Sequence, residues 1–438
     1  MTQKSAIRTT YSVCPVCFRR IKAELAAKKD GIYMEKTCPE HGDFSTVVWR
    51  GKSGFLSWYG DSEPIPDGGL PSCPSACISG ICPEHKSETC CVVLEVTNRC
   101  NLNCKYCFAD GGGDGEPKLS EIESAIKGFV RPGYTLVQLS GGEPTMREDI
   151  DEVVRAAKNS GCKYVQLNTN GIKLAEDETL AAKLASAGLS FVFLQFDGMD
   201  DEIYVKLRGL PLADIKRRAI ENCAKHNIGV TLVPTVVRGV NEKSLGEIIR
   251  FAVKMSPAVR GVHFQPVAHI GRIPHLPANE ERITLDELMA EIESQSMGLV
   301  KSGSLQPSRC DHPMCGFHGD FIVLEDGTLY PLTKKREDAP KCCCGAKSPA
   351  DSNREFVGRR WQRSESTVCS CQTSSKDITD MEYFLERLKS SGFTITSMAF
   401  QDAGNLDIER LSRCSLHAAK DGKLVPFCAN YLTSWEQR

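Results

Sequence analysis

A chain of 438 residues whose 54 basic and 56 acidic side chains leave a net charge of −2 gives no electrostatic reason to expect nucleic acid or an anionic membrane surface as a partner. No apolar run reaches the roughly 18–20 residues that span a bilayer, and the opening MTQKSAIRTT lacks the apolar stretch of a signal peptide, so no transmembrane segment and a cytoplasmic location are expected. The 22 cysteines sit in a chain far too long to need disulfides in place of a core, and in a reducing cytosol they read as metal ligands or redox groups.

Residues 1–60 carry two knuckles, Cys14-x2-Cys17 and Cys38-x2-His41, around GIYMEKT (31–37), which alternates like a short strand. That spacing suits one mononuclear tetrahedral metal, zinc or a rubredoxin-like iron. Residues 61–91 are rich in Pro, Gly and Cys and need a metal to be ordered. Cys73, Cys77, Cys82 and Cys90 there could close a complete auxiliary iron–sulfur cluster, with Cys91 competing for the fourth place.

From 92 to 300 short apolar runs alternate with amphipathic stretches. Strands are predicted at 92–97, 135–140, 164–168, 191–196, 230–237 and 261–267, with helices between them, for example at 120–130 and 212–227. Such βα units build an α/β fold with a parallel sheet buried on both faces, either doubly wound or part of a barrel. Cys162 and Cys223 stand alone in this region and read as small buried hydrophobes. Residues 301–438 lose the regularity. A hairpin turns at Asp326-Gly327 within 320–333, residues 334–378 look loosely ordered, and a helix (381–393) and a strand (394–400) follow.

The segment EVTNRCNLNCKYCFADGG (95–112) places Cys100, Cys104 and Cys107 on the loop after the first parallel strand, the end where ligands gather in such folds. Thiolates are natural ligands of iron–sulfur clusters, and three of them leave one iron open for a cofactor or substrate. A zinc knuckle would bring paired C-x2-C motifs and four ligands.

This C-x3-C-x-aromatic-C spacing, with Tyr106 at the aromatic position, resembles the radical SAM superfamily, as do LSGGEP (139–144), LNTNG (167–171) and FDG (196–198). The resemblance implies a partial (β/α)6 barrel and a [4Fe–4S] cluster on the three catalytic cysteines. It also implies contacts to S-adenosylmethionine from Tyr106, Phe108, Gly141, Gly142, Glu143, Asn168, Asn170 and Asp197. The implied reaction is reductive cleavage of S-adenosylmethionine to a 5′-deoxyadenosyl radical, which takes hydrogen from substrate. An external reductant such as ferredoxin or flavodoxin would supply the electron.

KTCPEHGDF (36–44), CPEHKSETC (82–90), SRCDHPMCGFHGDF (308–321) and RCSLHAAKDGKLVPFCANYL (413–432) resemble the tetraether lipid synthase branch. That likeness implies small N-terminal metal modules, one or two auxiliary [4Fe–4S] clusters, and a C-terminal cysteine-containing α+β extension in which Cys310, Cys315, Cys414 and Cys428 hold a further cluster. Cys342-Cys343-Cys344-Gly345 and Cys369-Ser370-Cys371 depart from that branch and are closer to a bacterial radical SAM (seleno)protein subgroup. The substrate is therefore left open between a lipid-like chain, a peptide and a small metabolite. His263, Gln265 and His269 are candidate contacts, and no segment resembles a cobalamin-binding domain. The competing readings are an iron–sulfur electron carrier, which has no need of a nucleoside pocket, and a metal- or selenium-handling protein, for which Cys342–Cys344 would be the working part.

Overall fold

The structure, a computed structural model, describes residues 6–51, 54–60, 80–83, 85–333, 347–363 and 378–437. Cys73, Cys77, Cys342, Cys343, Cys344, Cys369 and Cys371, and the expectations attached to them, lie outside the described residues.

The N-terminal segment is a four-stranded antiparallel sheet in sequence order: β1 (Ala6–Val13), β2 (Arg20–Ala27), β3 (Ile32–Cys38) and β4 (Gly42–Trp49). The sequence suggested one strand here, and four form, because alternate residues of β2 and β3 bury one face while charged side chains cover the other. Three polar contacts tie this sheet to distant chain. Lys36 Nζ is buried and donates to Ala403 O at 2.7 Å, Thr10 Oγ1 donates to Asp407 Oδ1 at 2.7 Å, and Arg8 pairs with Glu409.

Six parallel strands follow in the predicted places: β5 (Cys91–Thr97), β6 (Leu136–Gly141), β7 (Tyr164–Thr169), β8 (Phe191–Gln195), β9 (Gly229–Val233, continued by β10, Thr235–Val236) and β11 (Val259–Pro266). Helices such as Ile150–Asn159 and Leu245–Lys254 cross between them and press Val153, Val154, Ile248 and Ile249 onto the sheet. Leu139, Leu167 and Val192 are register neighbours in this outer apolar layer, whereas Gln138, Gln166 and Phe193 at alternate positions face inward. The result is an α/β fold containing the expected partial barrel, and its sheet does not close. Cys162 and Cys223 are buried in its apolar core.

The chain after residue 300 extends the same sheet at both edges. β12 (Gln306–Pro307), β13 (Phe317–Val323) and β14 (Leu329–Pro331) are antiparallel, and β13 pairs with β15 (Gly392–Ser397), which runs parallel beside β11. Gly327 makes the predicted hairpin turn, with Thr328 N on Asp326 Oδ1 at 2.8 Å. At the other edge β16 (Leu416–Lys420) lies parallel to β5 and turns back as β17 (Lys423–Pro426). Within the stretch expected to be loose, Pro349–Trp361 is a helix with Ser348 at its N-cap. It covers the N-terminal end of the barrel, where Arg354 donates to Cys90 O at 2.9 Å and Trp361 Nε1 to Thr394 Oγ1 at 2.9 Å. Among the described residues, no helix is long and apolar enough to cross a membrane.

Candidate active site

The loop bearing Cys100, Cys104 and Cys107 leaves the C-terminal end of β5 and is clasped by the end of β6. Gly142 N donates to Thr97 O and Glu143 N to Arg99 O, both at 2.8 Å. A side chain at Gly142 would place its Cβ 2.3 Å from Arg99 O, and Gly141 combines a φ of 117° with Thr97 O at 2.2 Å from its own would-be Cβ. These glycines are required first by the approach of the cysteine loop. From the far side Arg272 exchanges backbone hydrogen bonds with Cys107, and its guanidinium reaches Asp110, Asn103 and Gly111 O.

The three cysteines line the mouth of a barrel cavity of about 310 Å³, together with Tyr106, Phe108, Gly141, Gly142, Glu143, Asn168 and Asn170. Burial pushes the Cys100 thiol up to about 11; a cluster's positive irons would favour the thiolate there. Among the described residues, the three thiols are not one of the groups whose ligand atoms lie within 4.8 Å of one another.

Several expected contact residues turn out to brace the site. The buried Glu143 carboxylate accepts from Thr145 N at 3.1 Å, Thr145 Oγ1 at 2.6 Å, Thr169 Oγ1 at 2.6 Å and Asn170 N at 2.7 Å, locking the ends of β6 and β7 together. Asn170 Nδ2 in turn holds Asn101 Oδ1 at 2.7 Å within the cysteine loop. Asp197 does not line the cavity. It is fully buried and grips Arg208 through two hydrogen bonds of 2.7 and 2.8 Å. Arg208 is the cavity-facing residue in its place, with Nη2 also on Thr235 Oγ1 at 3.0 Å and the Cys104 thiol close enough to act on its charge. Tyr106 packs edge-on to His269 at 6.3 Å, and Phe108 turns toward Phe427 and Tyr431. His263 and Gln265 line the cavity; His269 is buried beside it.

Arg208, Arg272 and Lys216, whose buried Nζ donates to Asn170 O at 2.5 Å, were not singled out from sequence. All three lie far along the chain from the cysteines they support. Arg208 had one local signal, its place ten residues after the FDG turn.

In the N-terminal sheet the ligand atoms of Cys14, Cys17, Cys38 and His41 all lie within 4.8 Å of one another. Cys38 Sγ and Cys14 Sγ stand 3.5 and 3.6 Å from His41 Nδ1, and Cys17 Sγ stands 4.0 Å from Cys38 Sγ. A tetrahedral ion with bonds of about 2.0–2.3 Å has edges of roughly 3.5–3.8 Å, so the four residues fit one. Burial opposes ionisation of Cys38, but His41 and the backbone N–H groups of Glu40 and His41 outweigh it and bring the thiol down to about 6.

The remaining thiols fall into two groups. Cys310 and Cys90 lie close enough for their thiols to interact, which lowers the Cys90 pKa and raises that of Cys310; Asn353 Nδ2 and Ser415 Oγ donate to Cys90 and Cys310, at 3.3 and 3.4 Å. Cys315, Cys414 and Cys428 sense one another's charge and are each shifted upward by burial, Cys428 to about 12. Arg410 Nε donates to Cys315 Sγ at 3.3 Å, and Gln401 N to Cys428 Sγ at 3.3 Å. Cys82 shares an apolar cluster with Cys428. Cys310, expected beside Cys315, thus takes Cys90 as its thiol partner.

Residues 94–252 match the model of the radical SAM superfamily, and residues 6–50 match that of the HMPTM N-terminal zinc ribbon domain. A 7,8-dihydro-6-hydroxymethylpterin dimethyltransferase of Methanocaldococcus jannaschii is 33% identical over 476 residues, covering 96% of this chain and 92% of the relative. A probable GTP 3′,8-cyclase of Methanococcus aeolicus is 32% identical over 290 residues, covering 62% of this chain and 95% of that protein. Among solved structures, Streptococcus suis SuiB bound to S-adenosylmethionine aligns with 48% of this chain and 47% of its own at 16% identity and a TM-score of 0.39. On the family model and the relative matched over nearly its whole length, the chain belongs to the radical SAM superfamily.

Proposed function

We propose that Cys100, Cys104 and Cys107 hold a [4Fe–4S] cluster and that the chain acts on a C–H bond of a substrate seated in the barrel beneath it. Bound together there, the cluster and S-adenosylmethionine would supply reductive cleavage chemistry and hydrogen abstraction from the substrate. The observation that carries this reading is the opening of one cavity directly onto all three thiols.

The chain's own residues hold and orient. Arg208, held by Asp197 through Nε and Nη2, has its Nη1 left at the cavity mouth to donate to a carboxylate of S-adenosylmethionine. Gly141 and Gly142 keep the cysteine loop against β6, and Asn168 and Tyr106 supply polar and aromatic walls for a nucleoside. The helix Pro349–Trp361 keeps solvent from the far end. Cys14, Cys17, Cys38 and His41 hold one zinc or iron. Cys90 with Cys310, and Cys315 with Cys414 and Cys428, are the candidate ligands of auxiliary clusters that pass electrons from an external reductant such as ferredoxin or flavodoxin.

The name of the M. jannaschii relative supports a reduced pterin as substrate, with addition of methyl groups as the outcome. A lipid-like chain is the second reading, supported by the apolar wall of Leu136, Phe193, Val357 and Trp361. The experiment is anaerobic reconstitution with iron and sulfide, dithionite reduction and assay of 5′-deoxyadenosine from S-adenosylmethionine. Product from the wild type and none from the Cys100/Cys104/Cys107→Ala variant is expected. A fully loaded wild type that yields none, with or without a reduced pterin, would favour an electron carrier.

A further inference from the structure

The inner wall of the barrel carries two amides side by side, Gln138 on β6 and Gln166 on β7, which are register neighbours. Gln166 is fully buried. Its Nε2 donates to Asn168 Oδ1 at 2.7 Å, which sets the orientation of the amide, and its Oε1 has no partner. Gln138 Oε1 accepts from Asn168 Nδ2 at 3.4 Å, so the two amides form one fixed band. Across the cavity Ser397 Oγ is also buried without a partner. A dry carbonyl left unpaired bears its full desolvation cost, so a ligand that donates N–H groups is stabilised here and a bare alkyl chain is not.

Beside this band lies an aromatic floor. The Phe193 and Trp361 rings are 4.6 Å apart at 54° to each other, and His263 lies 5.4 Å from Phe193 at a tilt of 33°, so Phe193 and His263 give the flatter face and Trp361 closes its edge. Charged residues of the described lining sit only at the two ends of the cavity, Glu143 and Arg208 by the cysteines and Arg309 and Asp311 near Cys310. The middle offers no countercharge to an ionised ligand.

We propose that Gln138 and Gln166, beside the face of Phe193 and His263 and the edge formed by Trp361, form a binding site for a neutral, planar heterocycle that presents N–H donors. This rests on the radical reading above and narrows the substrate class within it.

The test is equilibrium dialysis of the anaerobically reconstituted full chain against pterin, and separately against 1-octanol as an alkyl probe. Wild type is expected to bind pterin, and Gln166→Met to weaken that binding by about tenfold or more while octanol binding stays level or rises. Gln138→Met, expected to act in the same direction, serves if the first variant fails a circular-dichroism and iron-content check. Absence of pterin binding, equal pterin binding by wild type and variant, or binding of octanol alone would each overturn the proposal. Release of 5′-deoxyadenosine is assayed on the same preparation. Cleavage without pterin binding sinks this site alone, and pterin binding without any cleavage sinks the radical reading alone.

Discussion

Cys90 and Cys91 are neighbours in the chain, yet the Cys90 thiol interacts with that of Cys310 while Cys91 packs with Leu136, Phe193 and Trp361 inside the barrel. Successive residues entering a strand point to opposite sides, so only one of the two can meet Cys310. The sequence left them as rivals for one ligand place. With the auxiliary site built on Cys90, Cys90→Ser is expected to lose one cluster's complement of iron. Cys91→Ser should keep its iron and lose only stability, about 1–3 kcal/mol for a hydroxyl in an apolar site. Iron analysis and electron paramagnetic resonance of the two variants would decide it, and equal iron loss in both would sink the assignment.

The Asp197–Arg208 pair is buried from both sides, with side-chain exposures of 0% and 4%. Asp197→Asn strands the guanidinium without its counterion, a change that costs about 3–5 kcal/mol in comparable buried pairs. Arg208→Lys retains the charge but not the planar fork. It is expected to weaken S-adenosylmethionine binding about tenfold at unchanged iron content, read by equilibrium dialysis; unchanged affinity would show that Arg208 merely supports the wall.

The cysteine loop was legible because its chemistry is local: Cys100, Cys104 and Cys107 fall within eight consecutive residues, and Cys14, Cys17, Cys38 and His41 come as two short knuckles. The parallel strands were legible because both faces are buried, which leaves unbroken apolar runs such as FVFL (191–194). Arg208, Lys216 and Arg272 were not, since each acts across the fold on a residue distant in sequence. The helix Pro349–Trp361 was hidden by its own buried face, which carries Arg354 and Arg360 and so shows no apolar stripe. Cys310 was grouped with Cys315 on the family resemblance of its segment, and only the pairing of β16 with β5 reveals what brings Cys90 to its side: Cys90 N donates to Ser415 O, and Ser415 Oγ reaches Cys310.

Gly142 leads to a sharper expectation than its place in a family motif. Gly142→Ala drives a methyl into Arg99 O and Asn98 O, both backbone atoms of the cysteine loop. The loop must move, so central-cluster loading should fall while the N-terminal metal stays. Iron and zinc analysis together would show it, and full loading of the central site would contradict the close approach.

The N-terminal metal should act on stability before activity. His41→Ala removes one of four converging ligands and is expected to release the ion to a chelator. The sheet's remaining ties, including Lys36 to Ala403 O and Thr10 to Asp407, stay available. A lowered melting temperature with retained central-cluster iron is the expected result. Loss of both metals together would mean that the sheet and the barrel fold as one unit.

Acid should destabilise the fold through histidines buried in the neutral form. Burial pushes His269 down to about 4 and His417 down to about 3, and neither His269 ring nitrogen has a hydrogen-bond partner. The unfolded chain takes up a proton near pH 6.5 that the folded chain refuses until pH 4 or below. Each ring therefore removes up to about 1.4 kcal/mol per pH unit as pH falls through that window, and nothing above it. His269→Leu eliminates one such term. Its stability relative to wild type should rise as pH drops from 6.5 to 4 and level off below. Urea unfolding of both proteins at pH 6.5, 5.5 and 4.5 measures this difference, from which cluster contributions common to both cancel. A difference independent of pH would mean that His269 is charged in the folded protein and has found a partner there.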